Sequence, residues 1–319
     1  RGNNRGMTME QSSDELSRSK QMYKILVVDD EKAIRMMLVD FLENKYTVET
    51  AETADVALEK LKQTHFNLVI SDINMPGMNG PQLLSEVRKN YPGTKTALIT
   101  AYNIDDYIRT AKETQITNII PKTVPFNFLE LDSIVSGLLT GNIFGLSRYL
   151  TSDGTIMERS TIRSSVEARD TREHIIDLFT EKFGTAGDMK LILDEIITNA
   201  IYHAPTLDDG TEKYQEFTDV ILESNEYISV ECGYDREKYA VSVTDNQGKL
   251  KKETVLYKID RQLTGEGLLD DSGRGIHMSR LFADRMIINI DPNKRTEVIL
   301  INYFSNKYRG YKPLYINEL

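Results

Sequence analysis

Sulfur and imidazole ligands are scarce in this sequence of 319 residues, which has one cysteine, Cys232, and four histidines. A single thiol excludes an intramolecular disulfide bond and a cysteine-based metal cluster. The histidines are scattered and do not have the spacing of metal ligands. Any bound metal ion is therefore expected to be held by oxygen atoms.

Long apolar runs and an excess of positive charge are also missing. No run approaches the roughly 18 residues that a membrane helix needs, and the first residues lack the apolar core of a signal peptide. The formal net charge of -10 opposes non-specific attraction to nucleic acid or to anionic lipid. We therefore expect a cytoplasmic protein with no direct contact to nucleic acid or membrane.

The chain is long enough for two domains. Its residues are 40% hydrophobic and 28% charged, as in soluble globular proteins. The polar residues 1–20 predict a disordered leader. We predict a first domain over 21–140, a linker over 141–160 and a second domain over 161–305. The tail, 306–319, is expected to pack back on the sheet, with contact to a partner as the alternative.

The first predicted domain alternates short apolar runs with amphipathic stretches. Five runs predict buried strands, and five stretches predict helices, including 104–114 and 126–139. This alternation predicts an α/β fold with a doubly wound, five-stranded parallel sheet. In such sheets, functional residues gather at the carboxyl ends of the strands.

Acidic and polar residues stand at those predicted strand ends. Asp29 and Asp30 end the first strand, Asp72 ends the third, Thr100 ends the fourth, and Lys122 follows the fifth. Because crowded carboxylates need a cation to stay ionised, the arrangement predicts a hard divalent ion such as Mg²⁺.

We interpret Asp72 as a nucleophile that takes a phosphoryl group. Asp29 or Asp30, together with Asp72 and the backbone carbonyl of Asn74, would hold the Mg²⁺ ion. Lys122 would pair with the phosphoryl oxygens, and Thr100 would donate a hydrogen bond to one of them.

This residue set, with Met75-Pro76-Gly77 shortly after Asp72, resembles the response-regulator receiver domain. The resemblance implies that a cognate histidine kinase supplies the phosphoryl group. Two positions depart from the family pattern. Ile119 stands where the family usually has an aromatic residue, and Lys122 is followed by Thr123-Val124-Pro125 instead of directly by proline. We therefore expect signal transmission by an unusual route, in which Tyr102 could replace the missing aromatic residue.

The second predicted domain opens with a helix over 171–183, capped by Asp170, and a second helix from about residue 186. Glu195 and Asn199 lie one turn apart on the second helix, at the edge of its apolar face. They can face one site together, or form an ordinary surface pair. Four strands of a mixed sheet are predicted at 227–232, 239–244, 286–290 and 297–302.

Two glycine-containing turns accompany these elements. Asp245 ends a predicted strand and is followed by a tight turn with Gly248, and Gly273-Arg274-Gly275 precedes a helix. Glycines at a helix start leave backbone N–H groups free to bind phosphate without a Walker lysine. Glycine pairs also open many helices that bind nothing.

In chain order, these motifs resemble the GHKL-type ATP-binding fold shared by gyrase, the Hsp90 chaperone and histidine kinases. Glu195-x-x-x-Asn199-Ala200-Ile201-x-His203-Ala204 is most similar to the anti-sigma-factor serine kinases. The resemblance implies that Asn199 coordinates Mg²⁺ on the ATP phosphates and that Asp245 accepts a hydrogen bond from the adenine amino group. It also implies a general base, Glu195, and nucleotide loops formed by Gly248, Gly273, Arg274 and Gly275.

The expected function is that of a response regulator whose output domain phosphorylates a serine of an anti-sigma-factor antagonist. A sigma factor is a further expected partner, and a homodimer is possible. A non-catalytic ATP-dependent binding module stays open, because Asp245-Asn246-Gln247-Gly248 has one glycine where the family has two. A histidine-kinase-related protein is a third hypothesis. Its phosphoacceptor candidate would be His174, but the predicted helix that carries His174 has no second helix to form the usual hairpin.

Overall fold

The protein is described by a computed structural model over residues 23–101, 108–116, 118–216, 218–266, 274–305, 308, 310 and 312–319. The chain divides into two compact units. Unit 1 contains the described residues up to Thr100 together with 134–140, and unit 2 contains those of 101–133 and 141–319. The predicted leader, 1–20, lies outside the described residues.

Unit 1 alternates strands and helices as predicted. Its elements are β1 (Lys24–Val28), α1 (Lys32–Leu42), β2 (Thr47–Ala51), α2 (Ala54–Gln63), β3 (Leu68–Asp72), α3 (Gly80–Asn90) and β4 (Lys95–Thr100). The four strands pair in parallel, in the order β2-β1-β3-β4. Because the central strands β1 and β3 are almost entirely buried, they appear in the sequence as continuous apolar runs.

Residues 101–133 cluster with unit 2, although the sequence assigned them to the first domain. They contain α4 (Ile108–Thr114), β5 (Ile119–Pro121) and the beginning of α5 (Phe128–Thr140), so the division passes through α5. All five predicted strands of the first domain are therefore present, with the fifth in unit 2.

Unit 2 contains a mixed sheet, as predicted. Its further elements are a 3-10 helix (Leu146–Tyr149), β6 (Thr155–Ile162), α6 (Ser165–Phe183), α7 (Met189–Thr198), a π-helical turn (Asn199–His203), β7 (Ile228–Tyr234), β8 (Lys238–Asp245), α8 (Lys252–Leu263), α9 (Arg274–Phe282), β9 (Arg285–Asp291), β10 (Arg295–Tyr303) and β11 (Leu314–Glu318). The strand order is β5-β11-β9-β10-β8-β7-β6. Neighbouring strands are antiparallel except for the parallel pair β11 and β9.

The structure corrects two local predictions. Strand β6 begins at Thr155, inside the predicted linker, and its partly exposed edge position explains its polar sequence. Helix α6 begins at Ser165, and its cap is Ser164, whose hydroxyl accepts a hydrogen bond from the Glu167 N–H at 3.1 Å. Asp170 therefore lies inside the helix and does not cap it.

The C-terminal residues form β11, which pairs with β9 from Leu314 to Glu318. The prediction that the tail packs back on the sheet is confirmed. None of the helices in the described parts of the chain has the length and apolar character required to span a membrane.

Candidate functional site

Asp72, the predicted phosphoacceptor, is the last residue of β3 and is only 6% exposed. One carboxylate oxygen, Oδ2, accepts a hydrogen bond from the backbone N–H of Asn74 at 2.8 Å. This bond orients the carboxylate towards the loop between β3 and α3. The loop also carries the Asn74 carbonyl that we predicted as a metal ligand.

The loop after Asp72 closes tightly on the strand. A side chain at Gly80 would overlap the backbone carbonyl of Asp72, and the Gly80 N–H donates to the Ile73 carbonyl at 3.0 Å. Asn79 and Gln82 form a reciprocal capping box at the start of α3. Gly80 is therefore required by a close backbone approach at the site.

Strand register brings the other predicted residues of unit 1 to the same edge of the sheet. Val28 of β1 pairs with Ser71 of β3, so Asp29 and Asp72 follow at neighbouring strand ends. Asp72 in turn pairs with Ile99, directly before Thr100.

Burial distinguishes the two aspartates after β1. Asp29 and Thr100 are 0% and 1% exposed, whereas Asp30 is exposed. Asp29 Oδ1 accepts a hydrogen bond from the Glu31 N–H at 2.8 Å. Of the two, Asp29 is therefore placed inside the predicted site.

Lys122 follows β5 in unit 2 and is half-buried. The position of the missing aromatic residue, Ile119, is 0% exposed, and its backbone pairs with Leu314 of β11. Tyr102, the suggested substitute, lies outside the described residues. Among the described residues, no group of three or more His, Cys, Asp or Glu side chains is arranged to hold a metal ion.

The second candidate site centres on the end of α7. Asn199 follows this helix and opens a π-helical turn, in which the Ala204 N–H donates to the Asn199 carbonyl at 3.0 Å. The helical periodicity of the sequence did not predict this irregular turn. Such π-helical turns occur frequently at functional sites.

Glu195, Asn199 and Gly275 come together at this point. The Asn199 amide, Nδ2, donates a hydrogen bond to Glu195 Oε1 at 3.0 Å. A side chain at Gly275, the second residue of α9, would overlap the Glu195 carboxylate. An added methyl group at this position would therefore displace the Glu195 carboxylate.

Asp245, the predicted adenine acceptor, ends β8 and is 8% exposed. Its Oδ1 accepts hydrogen bonds from the N–H groups of Gln247 at 2.8 Å and Gly248 at 3.1 Å. Burial raises the pKa of Asp245 above its ordinary value, although these N–H groups act in the opposite direction. The carboxyl group is thus a buried hydrogen-bonding group at the end of a strand.

Gly248 has a structural role that the motif did not reveal. Its φ is +58°, and a side chain would lie 2.6 Å from the Lys294 nitrogen and 2.7 Å from the Arg295 nitrogen. The Asn293 N–H also donates to the Gly248 carbonyl at 3.0 Å. The turn after Asp245 is therefore packed against the turn between β9 and β10.

Four further sequence candidates have different outcomes. Gly273 lies outside the described residues, as does the side chain of Arg274, whose backbone begins α9. His203 lies between two carboxylates, with Nδ1 2.7 Å from Glu212 and Nε2 2.7 Å from Glu216. His174 lies on α6 and is 55% exposed.

Residues that sequence reasoning missed connect 101–133 to the rest of unit 2. Arg285 is 1% exposed, and its Nε donates to Glu130 Oε1 at 2.6 Å. Burial alone would lower the pKa of Arg285, but the Glu130 charge and hydrogen bond together with Tyr303 and Tyr315 outweigh it, and the pKa is raised. Asn127 Nδ2 donates to the Tyr303 hydroxyl at 3.1 Å. No sequence pattern marks such distant pairs.

A family described as the response regulator receiver domain matches residues 25–134. The response regulator protein FleR of Pseudomonas aeruginosa is 32% identical over 169 residues, which are 52% of this chain and 34% of that protein. The sensor kinase CckA of Brucella abortus is 35% identical over 118 residues, 36% of this chain and 12% of that protein. This chain thus spans about a third or less of the length of these two relatives.

Solved structures are similar to part of the chain. The response regulator protein TrrA from Thermotoga maritima, crystallised in complex with Mg(2+)-BeF, is 39% identical to this chain. The similarity covers 37% of this chain and 100% of the TrrA chain, with a TM-score of 0.34.

Proposed function

We propose that the response regulator receiver domain, which residues 25–134 of this chain form, controls a second domain that binds ATP and phosphorylates a partner protein. The transfer would place the γ-phosphoryl group of ATP on a serine hydroxyl. The observation that carries this proposal is the meeting of Glu195, Asn199 and Gly275, because residues from two separate motifs of one ATP-binding pattern lie against each other.

On the receiver side, the proposed phosphoacceptor is Asp72, and a cognate histidine kinase is the proposed phosphoryl donor. The residues present fit an Mg²⁺ ion, since Asp29 and Asp72 are buried carboxylates at adjacent strand ends. Mg²⁺ is commonly bound by one or two carboxylates with the remaining positions filled by water. Asp29, Asp72 and the Asn74 carbonyl would hold the ion, which supplies positive charge for the phosphoryl oxygens.

On the output side, Glu195 is the proposed general base, which accepts the proton of the serine hydroxyl as its oxygen attacks. The Asn199 amide holds the Glu195 carboxylate in place at 3.0 Å and is the proposed ligand of the nucleotide Mg²⁺. Asp245 supplies a buried acceptor for the adenine amino group, and the start of α9 supplies N–H groups for phosphate.

The proposed substrate is an anti-sigma-factor antagonist, with a sigma factor as a further partner. This assignment rests on the similarity of the Glu195 to Ala204 motif to the anti-sigma-factor serine kinases. The acidic net charge of -10 is consistent with protein partners.

A second candidate function is a non-catalytic binding module in which ATP sets the conformation. The turn after Asp245 favours it, because this turn has one glycine where the resembled family has two, and that glycine, Gly248, packs against the β9–β10 turn. If the domain is such a binding module, Glu195 and Asn199 form an ordinary hydrogen-bonded pair on the helix.

Transfer of label from [γ-³²P]ATP to a candidate antagonist, with Mg²⁺ and the full chain, separates the two functions. The Glu195→Gln variant should lose transfer by at least about 100-fold, because general base catalysis contributes that much or more. Its ATP dissociation constant should change by less than about twofold, since the base acts in the transition state.

Asp194→Asn is the matched control, because it makes the same carboxylate-to-amide change one residue away on a side chain that is 56% exposed. It should transfer label at the rate of the unchanged chain. ATP binding without label on the antagonist would contradict the kinase and favour the binding module. The lack of ATP binding would contradict both functions.

A further inference from the structure

The receiver segment 101–133 is part of the compact unit that contains the candidate ATP site. The division between the two units falls directly after Thr100, the residue predicted to contact the phosphoryl group. The receiver segment therefore follows Thr100 directly in the sequence and belongs to unit 2. The contacts of its elements identify where a signal could enter the ATP domain.

Helix α4 of this segment packs against α8 of the ATP domain. Lys112 Nζ lies 2.8 Å from Asp260 Oδ2 and 5.1 Å from the centre of the Tyr257 ring. One lysine thus contacts two residues of α8 that are three positions apart and share a helix face. These contacts make Lys112 the main described polar link between the two helices.

Tyr257 extends this link to the end of α8 and the turn that follows it. The Arg261 guanidinium lies 5.6 Å from the Tyr257 ring centre, and its Nη1 donates to the Tyr257 hydroxyl at 3.0 Å. Arg261 Nη2 donates to the Glu266 carbonyl at 3.1 Å. Glu266 directly precedes the segment 267–273, which leads to Gly275.

Helix α8 also packs against α9, and α9 packs against α7. Gly275 of α9 is the residue that approaches the Glu195 carboxylate. A displacement of α8 would therefore also displace α9, the helix whose Gly275 lies against Glu195. The contacts form a continuous path from Lys112 to the proposed general base.

The contacts of 101–133 within unit 2 differ in burial. Arg285 and Glu130 are 1% and 10% exposed, and their ion pair is protected from solvent. Lys112 and Asp260 are 37% and 16% exposed. Breaking a partly exposed ion pair costs less free energy than breaking a buried one. Helix α4 is therefore the part of this segment that can move at low cost.

We propose that the contact of Lys112 with Asp260 and Tyr257 couples phosphorylation of Asp72 to the ATP site. Rearrangement of α4 changes the position of α8, and α8 in turn changes the position of α9 against Glu195. Lys112 and Asp260 act here as positioning residues. The proposal rests on the proposed function for its output, but the movement of α8 can be measured without nucleotide.

The first measurement is the ATP dissociation constant of the full chain, with and without Mg²⁺ and beryllium fluoride as the phosphoryl mimic. In the unchanged chain, the constant should shift by at least about fivefold. Lys112→Ala and Asp260→Ala should each reduce the shift to less than about twofold, and the charge-exchanged double variant, Lys112→Glu with Asp260→Lys, should restore most of it.

Lys258→Ala and Glu253→Ala are the matched controls, since they remove the same kinds of charge elsewhere on α8. Both should keep the full shift. Equal shifts in the unchanged chain and in all variants would overturn the coupling. So would ATP binding that does not respond to beryllium fluoride in the unchanged chain.

The second measurement is hydrogen exchange of residues 252–266 in the absence of nucleotide. Beryllium fluoride should change the exchange of this segment in the unchanged chain and in the controls, but not in Lys112→Ala or Asp260→Ala. If no ATP binds, the proposed function fails, and this exchange response still decides the coupling. The coupling is overturned if beryllium fluoride does not change the exchange of residues 252–266 in the unchanged chain, or if it changes this exchange equally in all variants.

Discussion

The two candidate sites of this protein are assembled by different means. At the phosphoacceptor site, Asp29, Asp72 and Thr100 occupy the ends of neighbouring parallel strands, and strand register brings them together. At the second site, Glu195 and Gly275 come from different helices, and a glycine backbone must approach a carboxylate closely.

This difference predicts different sensitivity to mutation. The first site depends on a functional group at the end of a strand, so removal of that group is the decisive change. The second site also depends on the space between α7 and α9, so an added methyl group can disturb it without removing any functional atom. The following variants test the comparison, beginning with the largest expected effect.

Asp72→Asn should abolish formation of an acyl phosphate, because the amide replaces the nucleophilic carboxylate while preserving its shape. Incorporation of label from acetyl [³²P]phosphate measures the effect. Asp55→Asn, at an exposed position in the first turn of α2, is the control and should retain labelling. Labelled Asp72→Asn protein would show that the phosphoacceptor is elsewhere.

Gly275→Ala should lower phosphoryl transfer by about 100-fold, because the new methyl group displaces the Glu195 carboxylate from its position. The overlapping atoms belong to the flexible end of a side chain, so the melting temperature and ATP affinity should change little. A parallel loss of ATP affinity would instead support the phosphate-binding role that the sequence suggested for Gly275.

Gly248→Ala should destabilise unit 2 by about 2 to 5 kcal/mol, since it combines a left-handed backbone with overlap of fixed backbone atoms. Urea unfolding followed by circular dichroism measures the change. Gly210→Ala is the matched control, because Gly210 has a φ of +84° and nothing within 4 Å of the added atom. The control should cost about 1 kcal/mol, and equal costs would contradict the close-packing argument.

Glu297→Gln tests a smaller, pH-dependent effect at a buried carboxyl group, which is 3% exposed. The Glu297 carboxylate accepts hydrogen bonds from the Ser242 hydroxyl at 2.7 Å, the Asn289 amide at 2.9 Å and the Gly145 N–H at 3.0 Å. Burial raises the pKa of Glu297 above its ordinary value of 4.5 despite these donors. The folded state therefore binds this proton more tightly than the unfolded state does.

Between the ordinary pKa of Glu297 and its raised folded value, the unfolded state holds fewer protons, so stability contributed by this group falls as pH rises. Glu297→Gln should remove that fall, with a difference of about 2 °C in melting temperature between about pH 5 and about pH 7. The exposed Glu253→Gln serves as control. Identical pH profiles for Glu297→Gln and the unchanged chain would contradict the assignment.

Much of the receiver could be predicted from local patterns. Apolar runs identified the strands, and the parallel arrangement then placed Asp29, Asp72 and Thr100 at one edge. The receiver prediction is confirmed by the family match over 25–134. Helical periodicity likewise placed Glu195 and Asn199 one turn apart, where their side chains are hydrogen-bonded.

Other features escaped sequence reasoning for identifiable reasons. Strand β6 was missed because an edge strand need not alternate clearly between apolar and polar residues. The role of Ser164 as a helix cap was overlooked in favour of Asp170, which lies within α6. The motif for nucleotide binding gave no indication that Gly248 contacts the β9–β10 turn.

By itself, the sequence determined the kinds of element and the functional groups at their ends, because strand burial, helical periodicity and turn residues are local properties. Only the tertiary structure decided that Gly275 covers Glu195, that Arg285 meets Glu130, and that Lys112 meets Asp260. Those contacts join distant parts of the chain and depend on how whole helices and strands pack. Asp72 was therefore recognisable in the sequence, whereas its proposed route to the second domain became visible only in the folded protein.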